Sequence, residues 1–278
     1  MRRAQGGATT LLLTGTLGLA STVQAATVGL TVFEGQLQRF NLETAALEPV
    51  GPLDRQLADL AFMPDGRLLG IDPDTDTLVS IDPDTAATSV IGDLGLDVPP
   101  ALANVGLSSN LDSSLWLLAN EGLYRIDIGS GAADLVCDLS GQPFASSCTG
   151  LAWHHGELYS LDDGLVAIDP VACTTSMVIW NTGTDSLDSD GRYLYGFHRR
   201  QVGPFLDGGV FVLWFDPETQ EQGQLGGVAL DPWFDLTGLA IFPTGNQVRA
   251  VPTLSPTALG LLMLAMGAAG VLVLRRVA

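Results

Sequence analysis

Leu60-Ala61-Phe62, Val105-Gly106-Leu107, Leu151-Ala152-Trp153 and Leu239-Ala240-Ile241 are four short apolar runs of one kind, and their spacing decides the fold. Leu60 and Val105 are 45 residues apart, and Val105 and Leu151 are 46 apart. A period of that size is the length of one four-stranded propeller blade. Each run opens a similar sequence of strands. The first unit begins in Leu57 to Pro64 and continues through Arg67 to Ile71, Thr77 to Ile81 and Thr88 to Ile91. The second starts at Ala103 and uses Leu115 to Ala119, Gly122 to Ile126 and Asp134 to Cys137. The third starts at Thr149 and uses Glu157 to Leu161, Leu165 to Ile168 and Met177 to Trp180. The fourth is built from Asp185 to Leu187, Tyr193 to Phe197, Val210 to Phe215 and Gly223 to Val228.

The turn before each fourth strand repeats as well. It reads Ile81-Asp82-Pro83-Asp84-Thr85, Ile126-Asp127-Ile128-Gly129-Ser130, Ile168-Asp169-Pro170 and Phe215-Asp216-Pro217-Glu218-Thr219. An Asp side chain accepts backbone N–H groups two residues on, and Pro presets φ, so the repeat has a local cause. Two remnants complete the set. Leu236 to Pro243 reads as a lone first strand, whereas Leu30 to Phe33, Gln36 to Phe40 and Leu47 to Val50 read as three strands lacking a first. Pairing them closes a ring and removes the sheet edges that invite aggregation. The expectation is an all-β propeller of five blades, each of four antiparallel strands, or six if Phe197 to Gly209 holds another. A pair of β-sandwiches is the alternative, and would leave the complementary ends as coincidence. The blade pattern resembles NHL-like and quinoprotein-like repeats, which implies a fold and no activity.

Charge excludes two classes of partner. The chain has 12 Arg and no Lys against 31 acidic residues, for a net charge of −19. Without Arg2, Arg3, Arg275 and Arg276, which lie in the two terminal segments, the remainder carries −23. Such a body is repelled by nucleic acid and by anionic lipid.

The ends carry the address. Residues 1–25 have a basic start (Arg2, Arg3), a short apolar run from Leu11 to Leu19 and small residues at Val23 and Ala25, the pattern of a cleaved secretory signal. A propeller body is expected over 26–248 and a sorting or anchor segment over 249–278. Ala258 to Leu274 has no charged residue and is just long enough for a transmembrane helix. Arg275 and Arg276 follow it as a cytoplasmic stop. The motif Val251-Pro252-Thr253-Leu254-Ser255, the apolar span and the basic pair together resemble the IPTL-CTERM sorting signal and the related PEP-CTERM type. That resemblance implies an exosortase-like transpeptidase that recognises Pro252-Thr253-Leu254, removes the tail and passes the body to the surface. The protein is therefore expected to be exported and held in the inner membrane by its C-terminal helix, or processed to the cell surface or extracellular matrix.

Candidate chemistry is sparse. With three cysteines, export suggests one disulfide. Cys137 and Cys148 flank the turn-like Ser140-Gly141-Gln142-Pro143 and are the expected pair, leaving Cys173 free. Carboxylates at alternate positions in Asp72, Asp74 and Asp76, and a similar acidic cluster of Asp185, Asp188 and Asp190, are oxygen ligands of the kind Ca²⁺ takes, although Asp-rich propeller turns are more often structural. His154 and His155 are adjacent and would point in opposite directions along a strand. Arg199-Arg200 is the one basic pair in the body and lies in its longest insertion. A saccharide or a protein could dock on such a loop. No G-x-S-x-G elbow or phosphate-binding glycine loop is present. The leading reading is a noncatalytic binding or matrix module without a resident cofactor. The alternative is a lactonase or lyase that holds a metal at the strand entrances, where Asp59, Asn104 and Asp185 converge on one channel mouth.

Overall fold

The computed structural model describes residues 28–96, 105–144, 149–161, 164–180, 184–199, 210–228 and 236–242. These form five four-stranded antiparallel sheets arranged as the blades of a propeller. Blade 1 contains β1 (Val28–Phe33), β2 (Gln36–Asn41) and β3 (Leu47–Pro52); blade 2 contains β4 (Leu60–Phe62), β5 (Leu68–Asp72), β6 (Thr77–Ile81) and β7 (Thr88–Asp93). Blade 3 contains β8 (Val105–Ser109), β9 (Leu115–Ala119), β10 (Gly122–Ile126) and β11 (Ala133–Asp138). Blade 4 contains β12 (Thr149–His154), β13 (Glu157–Leu161), β14 (Gly164–Asp169) and β15 (Thr174–Trp180). Blade 5 contains β16 (Thr184–Ser189), β17 (Leu194–Arg199), β18 (Val210–Asp216) and β19 (Glu221–Val228). The last strand, β20 (Leu236–Ile241), pairs antiparallel with β1 and gives blade 1 its innermost strand. The ring thus closes by joining the two ends of the body, as the strand remnants require. The expected signal segment at 1–25, the Arg200 loop and the apolar span at 258–274 lie outside the described residues, and no helix among the described residues is long and apolar enough to cross a membrane.

Strand burial follows from this arrangement. Inner strands are covered on both faces by neighbouring blades, so β5 is buried at all five positions, whereas the outer β3 and β7 are mainly partly buried or exposed. Among the described residues the buried apolar side chains fall into five clusters, and each cluster sits between two adjacent blades. Leu57, Leu60 and Phe62 meet Leu30 and Leu37 between blades 1 and 2. Phe40 and Leu239 meet Tyr195 and Phe197 between blades 5 and 1. Burial of a large apolar side chain contributes about 1.5–3 kcal/mol, so the interfaces between blades hold the ring together.

The repeated turn has the expected mechanism, and a fifth copy exists. The Asp82 carboxylate accepts the N–H groups of Asp84 and Thr85. Asp127, Asp169 and Asp216 do the same for the residues two and three positions on. In blade 1 the part is taken by Asn41, which accepts from Glu43 and Thr44. These N–H donors hold the carboxyls of Asp82, Asp127, Asp169 and Asp216 below their usual value. The fourth residue after each anchor has a left-handed backbone: Ala45, Ala86, Gly131, Cys173 and Gln220.

That alignment explains the disulfide, and it corrects the expected pairing of Cys137 with Cys148. Cys137 bridges Cys173, with Cα atoms 5.3 Å apart, and Cys148 lies outside the described residues. Cys137 sits where the outer strand of blade 3 shifts register; Gly51 and Gly92 hold the equivalent places in blades 1 and 2. A Cβ on Gly51 would lie 3.3 Å from the Cβ of Ala86, and one on Gly92 would collide with the Ser130 carbonyl. At each site an outer strand touches the left-handed turn of the next blade. Cys137 and Cys173 occupy that contact between blades 3 and 4. Closeness in sequence was the wrong guide, because contact between blades sets the partner.

Candidate functional site

The five innermost strands β20, β4, β8, β12 and β16 surround the propeller axis. Their hairpin partners align Leu239, Leu60, Leu107, Leu151 and Leu187 in one column. Blade 3 is therefore in register through Leu107-Ser108-Ser109, two residues later than the Val105-Gly106-Leu107 reading. A shift of two keeps the same face of the strand inward, which is why the apolar pattern alone did not reveal it.

One position before that column the axis is packed backbone on backbone. Gly238, Gly106 and Gly150 stand there with Asp59 and Ser186. A Cβ on Gly150 would lie 2.3 Å from the Leu187 nitrogen, and one on Gly106 would lie 2.4 Å from the Gly150 carbonyl carbon. Gly150, Gly238 and Ser186 also have positive φ and lie at strand bulges, where a left-handed residue lets the chain bend toward the axis.

Asp59 is the one carboxylate in this ring, and its use is structural. It is 1% exposed. Its Oδ1 accepts the N–H groups of Leu60 at 2.9 Å and Leu239 at 3.3 Å, and its Oδ2 accepts that of Leu107 at 2.7 Å. It therefore links the inner strands of blades 1, 2 and 3. Burial pushes its carboxyl well above the usual value, the three N–H groups oppose that, and the charge of Asp188 adds to the rise. Asp185 lies at the start of β16, partly buried and opposite Phe197, while Asn104 lies outside the described residues. The acid that faces Asp59 electrostatically is Asp188, three residues beyond Asp185 on the same strand. Among the described residues no group of three His, Cys, Asp or Glu side chains could hold a metal ion.

The acids of the alternating run from Asp72 to Asp76 shape turns. Asp72 accepts the N–H groups of Asp74 and Thr75 through Oδ1, and Arg55 lies 3.4 Å from its Oδ2. Asp76 accepts the N–H of Leu96.

At the opposite ends of the inner strands the axis opens into a cavity of about 300 Å³. The C-terminal ends of the five strands and the turns after them supply its walls. Phe62, Leu111, Trp153 and Ile241 make the apolar part, while Asp188, Asn110 and His154 are among the polar groups. Leu111 stands 75% exposed at the mouth. Trp153 packs edge-on against Trp116, with ring centroids 5.6 Å apart, and its indole N–H is buried without a hydrogen-bond partner among the described residues.

Asp188 is the distinctive group in this cavity. Its Oδ2 accepts the N–H of Ile241 at 2.5 Å, so it also ties blade 5 to the closing strand, and its Oδ1 accepts the N–H of Ser189 at 2.8 Å. Burial raises its carboxyl to about 7, these two bonds oppose the rise, and the charge of Asp190 adds to it. Next to it His154, 3% exposed, bonds through Nδ1 to the Ser189 hydroxyl at 2.8 Å. Burial, then repulsion from His155, holds this imidazole below its usual value. The two histidines do not point apart as a strand would direct them. His155 has left β12 with φ 50°, and the rings stack with centroids 4.1 Å apart. His155 bonds Glu218 and the Gly191 carbonyl, which raise its pKa. Asp190 accepts the Tyr195 hydroxyl and the N–H groups of Arg192 and Tyr193.

Sequence reasoning singled out Asp188 only as one acid of a run and did not place Trp153 or Phe62 at a site. The available signal was the column itself. At the position after the aligned Leu the five strands carry Ala240, Ala61, Ser108, Ala152 and Asp188, and one carboxylate among four small residues marks a site with room beside it.

Residues 249–276 match the IPTL-CTERM motif, which points to an exported, membrane-associated protein processed by an exosortase-like system. No curated protein matches the chain. Among solved structures, a chain of the nidogen/laminin complex is similar at 14% identity and a TM-score of 0.50, over 77% of this chain and 98% of that one. TolB from Acinetobacter baumannii is similar at 15% identity and a TM-score of 0.48, over 74% of this chain and 54% of its own length. Virginiamycin B lyase from Staphylococcus aureus is similar at 12% identity and a TM-score of 0.42, over 73% of this chain and 71% of that one. At 14% identity the likeness to the nidogen/laminin chain is one of fold and carries no activity.

Proposed function

We propose that the chain is a noncatalytic binding module that is sorted to the cell surface and takes its ligand in the axial cavity. The cavity carries this reading. It is concave, mainly apolar, and supplied with a few polar groups fixed by their own hydrogen bonds, which is the usual constitution of a ligand site. At the other end of the axis the Asp59 oxygens are engaged by backbone N–H groups, which favours binding at the cavity over chemistry at the strand entrances.

The tail supports sorting. In this reading the transpeptidase acts at Pro252-Thr253-Leu254 and the span from Ala258 to Leu274 holds the unprocessed protein in the inner membrane. The body leaves for that tail from the cavity side, since Ile241 lines the cavity and Phe242 packs on Phe62 with ring centroids 5.1 Å apart. Val251 is nine residues beyond Phe242, a reach of at most about 30 Å.

Mass spectrometry of the native C-terminus, taken from separated envelope and medium fractions, tests the sorting. A body that ends near Pro252 and lies outside the inner membrane is the expected result. A chain still ending at Ala278, found only in the inner membrane, would overturn it.

A further inference from the structure

We propose that the axial cavity binds a small organic cation, an apolar or aromatic body bearing one protonated amine, with the ammonium on Asp188 and the body between Phe62, Leu111, Trp153 and Ile241. The inference rests on the reading of the cavity as the ligand site and names the class of ligand.

The charge pattern excludes an anion. Among the described residues the lining holds two carboxylates, Asp188 and Asp190, and no arginine, and its two imidazoles are committed elsewhere. His154 is bonded to Ser189 and held below its usual pKa, and His155 is paired with Glu218 on the outside of the turn. Asp188 is half-buried in the cavity wall, and a carboxylate drawn out of water in this way is stabilised by a counter-charge. Each Asp188 oxygen accepts one backbone N–H, and the charged groups that face it are the acids Asp59 and Asp190. A carboxylate oxygen has a second acceptor site, so a donor entering the cavity finds one on each oxygen. Aromatic walls of Phe and Trp favour a cation over a neutral group of the same shape. The volume suits a single ring with a short side chain.

Proton linkage follows from the same geometry. With its carboxyl raised to about 7, Asp188 is partly protonated at neutral pH, and an ammonium bound to it displaces that proton into solvent. Binding of an amine therefore strengthens as pH rises through 7 and releases a proton. A neutral molecule of the same shape does neither.

The test is isothermal titration of the full-length protein at physiological salt with 2-phenylethylamine, 2-phenylethanol and 3-phenylpropanoate. At pH 8 the amine is expected to bind about ten-fold more tightly than the alcohol, with the acid weakest, as a charge-assisted hydrogen bond implies. At pH 5.5 that preference should largely vanish. Near pH 7, titrations in buffers of different ionisation enthalpy should show proton release for the amine and none for the alcohol, a readout that needs no variant. Asp188→Asn should bring the amine down to the level of the alcohol. Equal binding of amine and alcohol at pH 8 would overturn the cation assignment while leaving the cavity as a ligand site. Binding of the amine that survives Asp188→Asn would place it elsewhere on the acidic surface and equally refute the assignment. Failure of all three probes to bind at millimolar concentration would overturn both readings.

Discussion

Replacing Asp59 with Ala removes the acceptor that joins three inner strands, and the structure sets the size of the effect. Three buried N–H groups, of Leu60, Leu107 and Leu239, lose their partner at 2.9, 2.7 and 3.3 Å. A buried donor left unpaired costs about 1–3 kcal/mol. The long bond to Leu239 contributes least, and removal of a carboxyl that burial disfavours returns part of the loss. A net destabilisation of about 3–5 kcal/mol is expected, a large share of the 5–15 kcal/mol that holds a typical domain. Asp59→Asn retains Oδ1 for Leu60 and Leu239 and sets an amide donor against the Leu107 N–H, so about 1–2 kcal/mol is expected. Chemical denaturation at pH 7, followed by intrinsic fluorescence, measures both. An Ala variant within 1 kcal/mol of the parent, or an Asn variant worse than Ala, would refute the view that this carboxylate fastens the ring through its oxygens.

Three further outcomes follow from the same interior. Cys173→Ala opens a loop of 36 residues between the bridged cysteines and should cost about 4 kcal/mol, and a reductant should lower the Tm of the parent protein to that of the variant; a Tm indifferent to reductant would remove the disulfide from the account. Gly150→Ala places a Cβ 2.3 Å from the Leu187 nitrogen on a backbone with φ +67°, so it should prevent accumulation of folded protein, whereas Gly141→Ala, with open space beside it, should cost only about 1 kcal/mol for its positive φ. The pH dependence should be bell-shaped. Asp59 and Asp188 have raised pKa values, so the stability they allow is complete below the usual carboxylate pKa and is lost as pH rises toward 7, by up to about 4 kcal/mol for Asp188. The turn acids Asp82, Asp127, Asp169 and Asp216 have lowered values, so their contribution is present above the usual pKa and is lost as pH falls below it. Denaturation midpoints across pH 3–9 should peak near the usual carboxylate pKa, at about 4, and Asp188→Asn should flatten the alkaline limb; a midpoint that rises steadily to pH 8 would contradict both pKa directions.

Strand order, blade number and ring closure were legible in the chain because their signals are local. Alternating apolar runs specify strands, and an Asp followed by donors two and three residues on specifies the turn whatever surrounds it. The complementary remnants at the ends required only counting. Even the fifth turn, at Asn41-Leu42-Glu43-Thr44, matches Asp216-Pro217-Glu218-Thr219 closely enough to be found by alignment.

What tertiary structure alone decided are the relations between blades. Cys173 was assigned to Cys137 by the approach of a left-handed turn to the neighbouring outer strand, a contact 36 residues apart in sequence and repeated at Gly51 and Ala86. Asp59 and Asp188 look alike in the sequence as acids beside the apolar column of the inner strands. One became a fastener because N–H groups of three strands converge on it, and the other became the polar group of a cavity because its neighbours in the column are Ala61, Ser108, Ala152 and Ala240. Neither outcome can be read from one strand. Hydrogen-bond partners and burial across the axis depend on five registers at once, and a slip of two residues in any of them leaves the apolar pattern unchanged while changing which backbone groups meet.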